Sequence, residues 1–240
     1  QVAPSFSDLM SLGRVRPEDD AETFCMTVLA LKTSRAANAV SELHGHVSRK
    51  MWHDLHPDLA VEEVPIGHIT NGIHLLGWMK GPVRMFWKRK LGPRWEEGIN
   101  SAEYWQRMLD PAFVSDEELW ALRYRLRRAL IEFARRRAEL QGQRLAQADF
   151  IAFDRLLDPD ALTIGFARRF AAYKRAPLVF QDLERITELV LDAGRPIQFI
   201  FAGKAHPMDD EGKRHLQSIL HLAKSAALRG RLAFIENYDV

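Results

Sequence analysis

Between residues 160 and 236, three short apolar runs alternate with two stretches of helical periodicity. The runs are Leu162–Phe166, Pro196–Ala202 and Arg231–Glu236. Between the first two, residues Ala176–Leu191 repeat Val179, Leu183, Ile186 and Val190 on one helical face before Gly194. Between the last two, Asp210–Leu228 reads as a second helix. Strands that alternate with helices of this length need crossover connections, so they predict a parallel sheet of the α/β class. Each apolar run is short enough for a buried strand. Three strands leave an open sheet edge.

Charge is concentrated where the first strand ends. Arg168, Arg169, Lys174 and Arg175 place four cations within eight positions. Gly203-Lys204 follows the second strand in the same way. Open α/β sheets bind ligands outside the carboxyl ends of their strands, and free N–H groups at a helix start favour anions. A phosphate is the ligand this arrangement predicts.

The segment Leu162–Arg175, with its Arg-Arg and Tyr-Lys-Arg spellings, resembles the phosphate-site motif of the α-glucan phosphorylases. Four other pieces fit that family in the same order. They are Ser34-Arg-Ala-Ala-Asn-Ala-Val-Ser-Glu-Leu-His-Gly45, His68-Ile-Thr-Asn-Gly-Ile-His74, Phe201-Ala-Gly-Lys-Ala-His-Pro207 and Phe234-Ile-Glu-Asn-Tyr238. The spelling around Asn71 is most similar to the shorter bacterial and archaeal type. The resemblance implies a partial two-lobe glycosyltransferase architecture. Residues 1–75 would close the N-terminal lobe, 76–159 would be a helical connecting region, and 160–240 would open a Rossmann-like C-terminal lobe.

What the resemblance implies chemically is phosphorolysis of terminal α-1,4-glucosidic bonds, giving glucose 1-phosphate, with pyridoxal phosphate as cofactor. Carried over by position, Arg169 would clamp the substrate phosphate and Lys174 would make a second phosphate contact. Arg168, standing where the family has lysine, would serve the cofactor phosphate together with Lys174. Tyr238 would lie against the cofactor ring, and Asn71 would hydrogen-bond a hydroxyl of the reacting glucose. Two neighbouring phosphates need several cations around them, and arginine offers a bidentate fork. The family's cofactor lysine, in a Gly-Asn-Met-Lys segment, is absent from residues 1–240. Gln1 and Val240 read as cut ends, so the chain is expected to be an internal piece, inactive by itself. Rival readings are a nucleotide-sugar glycosyltransferase of glycogen-synthase type and a non-catalytic protein binding glucan or nucleic acid.

The remaining residues give bland readings. Asn71-Gly72 between alternating apolar residues reads by itself as a hairpin turn; the resemblance places it at a cleft instead. The run Phe24–Leu31 favours helix. Ala36, Val40, Leu43, Val47 and Met51 predict one amphipathic helix over Ala36–Leu55. His44, His46, His53 and His56 fall in and beside it, but no cysteine or carboxylate pair accompanies them, so no metal is expected. Trp78, Trp87, Trp95 and Trp105 read as anchors for short helices and loops. Ser115 and Glu118 spell a capping box ahead of a long arginine-rich helix with Leu119, Leu122, Leu126, Leu130 and Phe133 on one face. A formal charge of +2 gives nucleic-acid binding no support. With Cys25 as the single cysteine no internal disulfide can form, which suits a reducing, cytoplasmic setting. No apolar run approaches the ~20 residues that span a bilayer. The expected partners are α-1,4-glucan and inorganic phosphate; a homo-oligomer is compatible with this reading.

Overall fold

The computed structural model describes residues 5–145, 155–236 and 238. Asn237 of the Phe-Ile-Glu-Asn-Tyr motif lies outside the described residues. The chain divides into two compact units, residues 1–78 and 79–240.

The first unit begins with helix α1, Phe6–Leu12, closed at its start by a capping box between Ser5 and Asp8. Helix α2, Met26–Thr33, realises the helical reading of the Phe24–Leu31 run and buries Val28. The expected helix over Ala36–Leu55 is not one element. Its start is strand β1, Ala37–Ala39, paired in parallel with β2, Ile66–His68. The helix proper, α3, runs only over Glu42–Met51, with Ser41 accepting from the His44 N–H at 3.2 Å as its N-cap. A pairing partner almost thirty residues downstream is invisible to local periodicity, and it draws Ala37–Ala39 into a sheet. The apolar spacing proves misleading as well. Val40, Leu43, Val47 and Met51 are 44–73% exposed, and the helix is buried at Gly45. A Cβ on Gly45 would stand 3.4 Å from the His68 Cβ, so the helix lies close against β2 there. The Arg49 guanidinium then donates to the Ile66 carbonyl at 2.9 Å. After β2 the chain runs irregularly into helix α4, Leu75–Trp78, rather than turning back as a hairpin.

The second unit opens with α5, Gly81–Leu91, and α6, Ala102–Met108. Three of the four tryptophans expected as anchors pack: Trp87 lies half-buried beside Phe86, Trp95 is buried in a 3-10 turn between these helices, and the Trp105 indole N–H donates to the Ile99 carbonyl at 2.7 Å. Trp78 of the first unit, by contrast, is 71% exposed and anchors nothing by burial. The long helix α7 spans Asp116–Leu145. The capping box is formed: the Glu118 N–H donates to Ser115 Oγ at 3.3 Å and the Ser115 N–H to the Glu118 carboxylate at 3.1 Å.

The expected single apolar face of α7 holds only over its first half. There Leu119, Leu122 and Leu126 pack with Phe86 of α5 and Val114. Farther along, Leu130 and Phe133 are exposed, and Ile131 and Ala134 are buried instead. At 3.6 residues per turn these two sets are rotated by roughly 120°. The helix changes face because it changes neighbour: its second half lies on the sheet, against Ile200, Ala233 and Ile235.

That sheet is parallel throughout, in the order β3 (Leu162–Ala167), β4 (Ile197–Ala202), β5 (Leu232–Ile235). Side chains alternate along β4, as a strand requires. Phe199 and Phe201 join a cluster with Val190 of helix α8, Leu183–Leu191, and Ile219 of helix α9, Asp210–Lys224. Ile200 and Ala202 face α7. The central strand is thus covered on both sides. β3, expected to be a buried strand, is the exposed edge: Leu162 is 58% and Ile164 41% accessible. The helix expected over Ala176–Leu191 is also divided. A 3-10 turn covers Ala176–Phe180, and α8 starts afresh after Asp182, whose carboxylate accepts from the Arg185 N–H at 2.9 Å. Pro177, with no N–H to give, favours a helix start and does not carry the chain straight into α8.

One polar side chain is buried in this apolar strand. Gln198 is fully buried and fully bonded. Its Oε1 accepts from the Asp158 N–H at 2.6 Å, and its Nε2 donates to the Asp158 carbonyl and to Thr163 Oγ1, each at 2.7 Å. No helix among the described residues is long and apolar enough to cross a membrane.

Candidate functional site

Because all three strands are parallel, the segments that leave them emerge along one edge. Arg168-Arg169-Phe170 leaves β3 and runs beside Gly203-Lys204-Ala205, which leaves β4. The Arg168 N–H donates to the Ala202 carbonyl at 3.1 Å, the Phe170 N–H donates to the Lys204 carbonyl at 2.9 Å, and Phe170 and Ala205 form a parallel bridge. Phe170 is 1% exposed, and its ring centroid lies 5.8 Å from that of Phe166 and 5.9 Å from that of Phe234. The arginines therefore sit on a backbone pinned by ladder bonds on one side and a buried ring on the other.

Gly203 permits this approach. A Cβ there would lie 2.1 Å from the Arg168 carbonyl oxygen and 2.8 Å from the Phe170 ring. Only a residue with no side chain fits between the two segments.

Arg168, Arg169, Arg175 and Lys204 are exposed, and among the described residues none has an ion pair with a carboxylate. The carboxylates that lead into α9 are committed elsewhere. Asp209 accepts from the Gly212 N–H at 2.8 Å as the helix cap. Asp210 pairs with Lys213 at 2.9 Å, and that hydrogen bond holds its carboxyl below its ordinary pKa. The edge thus carries net positive charge with no internal counter-ion, which is what binding of an external anion requires.

Lys174 lies in a 3-10 turn, Ala172–Lys174, with its ammonium 4.6 Å from the Tyr173 ring centroid. Such cation–π contact steadies the ammonium without neutralising it. Arg175, at φ 54°, takes the left-handed conformation between this turn and the next. Among the described residues Arg175 forms no ion pair with an acidic side chain of the following helix.

Tyr238 follows β5 and is half-buried against the cluster that contains Ala202 and Ile235. Asn71 belongs to the first unit; it is exposed, and its N–H donates to the Val40 carbonyl at 3.1 Å. The structure thus brings Arg168, Arg169 and Lys204 to one backbone-bonded edge and places Lys174 in the turn that follows.

Two of the clustered histidines of the first unit bond locally. His44 Nδ1 accepts from the Val40 N–H at 3.3 Å, and His53 Nε2 bonds the Leu59 carbonyl at 2.8 Å. Among the described residues no group of three or more histidine, cysteine or acidic side chains is arranged to hold a metal ion.

Glu236, at the end of β5, has no role in the motif reading, and the structure gives it one. Its carboxylate accepts from Gln141 Nε2 at 2.5 Å and from Arg144, and its carbonyl from Arg137 at 3.1 Å. The signal was present in the sequence: Arg137, Gln141 and Arg144 recur at spacings of four and three, one stripe of a helix.

A parallel α/β sheet that gathers exposed arginine and lysine at its carboxyl edge is of the open α/β class, in which ligands bind at that edge. Comparison with known proteins narrows this class. The chain is 40% identical to the glycogen phosphorylase of Aquifex aeolicus over 233 residues, covering 96% of this chain and 33% of that protein. It is 34% identical to the maltodextrin phosphorylase of Thermococcus litoralis over 233 residues, 97% of this chain and 27% of that protein. It is 40% identical to the glycogen phosphorylase of Mycobacterium tuberculosis over 229 residues, 93% of this chain and 25% of that protein. No family model matches the chain. The chain belongs to the α-glucan phosphorylase family. It spans between a quarter and a third of the length of these relatives.

Proposed function

We propose that the protein cleaves terminal α-1,4-glucosidic bonds of a glucan with inorganic phosphate, releasing glucose 1-phosphate in the cytoplasm. The observation that carries this reading is the cationic carboxyl edge: Arg168 and Arg169 are locked beside Lys204 by backbone bonds and lack carboxylate partners among the described residues. In this reaction the bond from the glucose C1 to the departing glucan oxygen breaks, and a bond from C1 to a phosphate oxygen forms. The departing oxygen takes the proton that the phosphate gives up.

In this reading Arg169 binds the substrate phosphate through its planar fork, and Lys174 supplies a second, point-like charge. Arg168 and Lys174 would hold the 5′-phosphate of pyridoxal phosphate, with Tyr238 beside its ring. The residues present fit such a group, because several uncompensated cations suit two neighbouring phosphates better than one. When bound, the cofactor would present its phosphate to the substrate phosphate. Asn71, offering both donors and an acceptor, would hold a glucose hydroxyl. The Gly-Asn-Met-Lys lysine is not among residues 1–240, so these residues by themselves are expected not to turn over.

The test uses the complete reading frame that contains this chain, purified with pyridoxal phosphate and supplied with maltodextrin and inorganic phosphate. Glucose 1-phosphate release is expected, and Arg169→Ala should lower kcat/KM by about 10²–10³-fold, as for loss of one charge-stabilising donor. Glucosyl transfer from a nucleotide sugar without phosphate-dependent release would move the protein to the synthase-like class.

A further inference from the structure

We propose that Glu236 is a positioning residue: fastened to the last turns of α7, it sets where Tyr238 stands at the carboxyl edge of the sheet. The inference deepens the proposed function and rests on it, because that reading places Tyr238 beside the ring of pyridoxal phosphate.

Glu236 is the first residue after β5, at the same end of the parallel sheet as Arg168, which follows β3, and Lys204, which follows β4. The segment leaving β3 is held by backbone bonds to the segment leaving β4. The segment leaving β5 is held differently. The ladder between β4 and β5 ends at the pair Ala202 and Ile235. Among the described residues, the donors to Glu236 then all belong to α7. Gln141 Nε2 donates to Oε1 at 2.5 Å, the Arg144 guanidinium donates to Oε2, and Arg137 Nη2 donates to the carbonyl at 3.1 Å. Each carboxylate oxygen thus has its own donor, and the peptide oxygen has a third. Such an arrangement fixes both the side-chain rotamer and the plane of the peptide that follows. Spacings of four and three place the three donors on one stripe of the helix.

Tyr238 is half-buried against the cluster in which Ile131 and Ala134 of α7 meet Ala202 and Ile235 of the sheet. Apolar contact has no direction. It keeps Tyr238 on the cluster but leaves the segment free to slide along it. The directed bonds to Glu236 remove that freedom, so residues 236 and 238 are both fixed against one helix. A binding site needs its contact residues held in this way by a supporting layer of bonds. The same bonds add little to folding. The Arg144 side chain is 57% exposed, and an ion pair so open to water contributes little to stability. Its effect falls on position.

Titration of pyridoxal phosphate into the complete protein, freed of cofactor, tests this inference. Two quantities are read apart from activity. They are the affinity, from quenching of protein fluorescence, and the absorption band of the bound cofactor, which reports the surroundings of its ring. Glu236→Ala is expected to weaken binding about tenfold, as for loss of charged hydrogen bonds, and to shift the band. Arg144→Met breaks the same pair from the helix side, so it should act in the same direction, about threefold. Both variants should melt as the parent does; if Glu236→Ala loosens the fold, Arg144→Met carries the test. In a Tyr238→Ala background, Glu236→Ala should add no further loss, because the residue it positions is gone. A merely structural tie would lower the melting temperature and leave the affinity and the band as they are. Unchanged affinity and band in both variants, or an equal loss with Tyr238→Ala in place, would overturn the positioning role. A parent that binds no pyridoxal phosphate would overturn the proposed function, and this inference with it. Glucose 1-phosphate release by the parent keeps the two failures apart.

Discussion

Gly203→Ala is expected to cost about 3 kcal/mol of stability, at the upper end of what inserting one methyl group into packed space does. In the complete protein the same change should lower the proposed phosphorolysis by about 10²-fold even in the fraction that remains folded. Both effects come from one contact. The added Cβ would sit 2.1 Å from the Arg168 carbonyl oxygen, a backbone atom that cannot swing aside as a side-chain tip can. To relieve the overlap, the segment leaving β3 must separate from the segment leaving β4. That breaks the bonds from the Arg168 N–H to the Ala202 carbonyl and from the Phe170 N–H to the Lys204 carbonyl. Arg169 lies between those two anchors, so it moves with them, and a displacement near 1 Å is enough for a rate loss of about 10²-fold. Urea denaturation should show the stability loss, and kcat measured below the transition the catalytic one. A variant with wild-type stability and activity would show that Gly203 is not the close-packed spacer described.

Gln198→Leu is expected to destabilise the second unit by about 3 kcal/mol, although leucine is nearly isosteric and sits in an apolar strand. Three hydrogen bonds disappear together, and the Asp158 N–H and carbonyl lose their partners. Each buried group left unsatisfied costs about 1–3 kcal/mol. Gln198→Glu should be as harmful, because the carboxylate cannot donate to the Asp158 carbonyl or to Thr163 Oγ1 and would bring a charge to a fully buried position. The midpoint of chemical denaturation reads this directly. A fall of less than about 1 kcal/mol in Gln198→Leu would mean that water satisfies the Asp158 backbone when the amide is gone.

How much of this was legible in the sequence depends on the range of the interaction. The sheet was readable because Leu162–Phe166, Pro196–Ala202 and Arg231–Glu236 are apolar runs set between helices, and their pairing follows from crossover topology. The cations were legible as residue types, and their position after a strand pointed to phosphate. The pinning of Arg168 and Phe170 to the backbone around Lys204 was not, because it joins segments more than thirty residues apart. The same blindness explains the misread start of α3. Ala37–Ala39 looks helical by spacing and becomes a strand only because Ile66–His68 lies alongside. Gln198 was hidden for the opposite reason: five apolar neighbours on β4 mask one polar residue whose partners sit on a distant loop and on β3.

Helix α7 carries a constraint of its own. Its first half is keyed to α5 and its second half to the sheet, through faces roughly 120° apart. The stretch between Leu126 and Ile131 therefore works as a phase ruler. Adding or removing one residue there would turn one half by about 100° relative to the other and bring Ile131 and Ala134 off the sheet. Arg135 would leave the Leu156 and Leu157 carbonyls, and Arg137, Gln141 and Arg144 would release Glu236. Substitutions in this stretch change only a side chain, whereas a change of length unlocks both edges of the sheet at once. Natural variation within this helix should therefore accumulate as replacements, with insertions and deletions confined to the loops on either side.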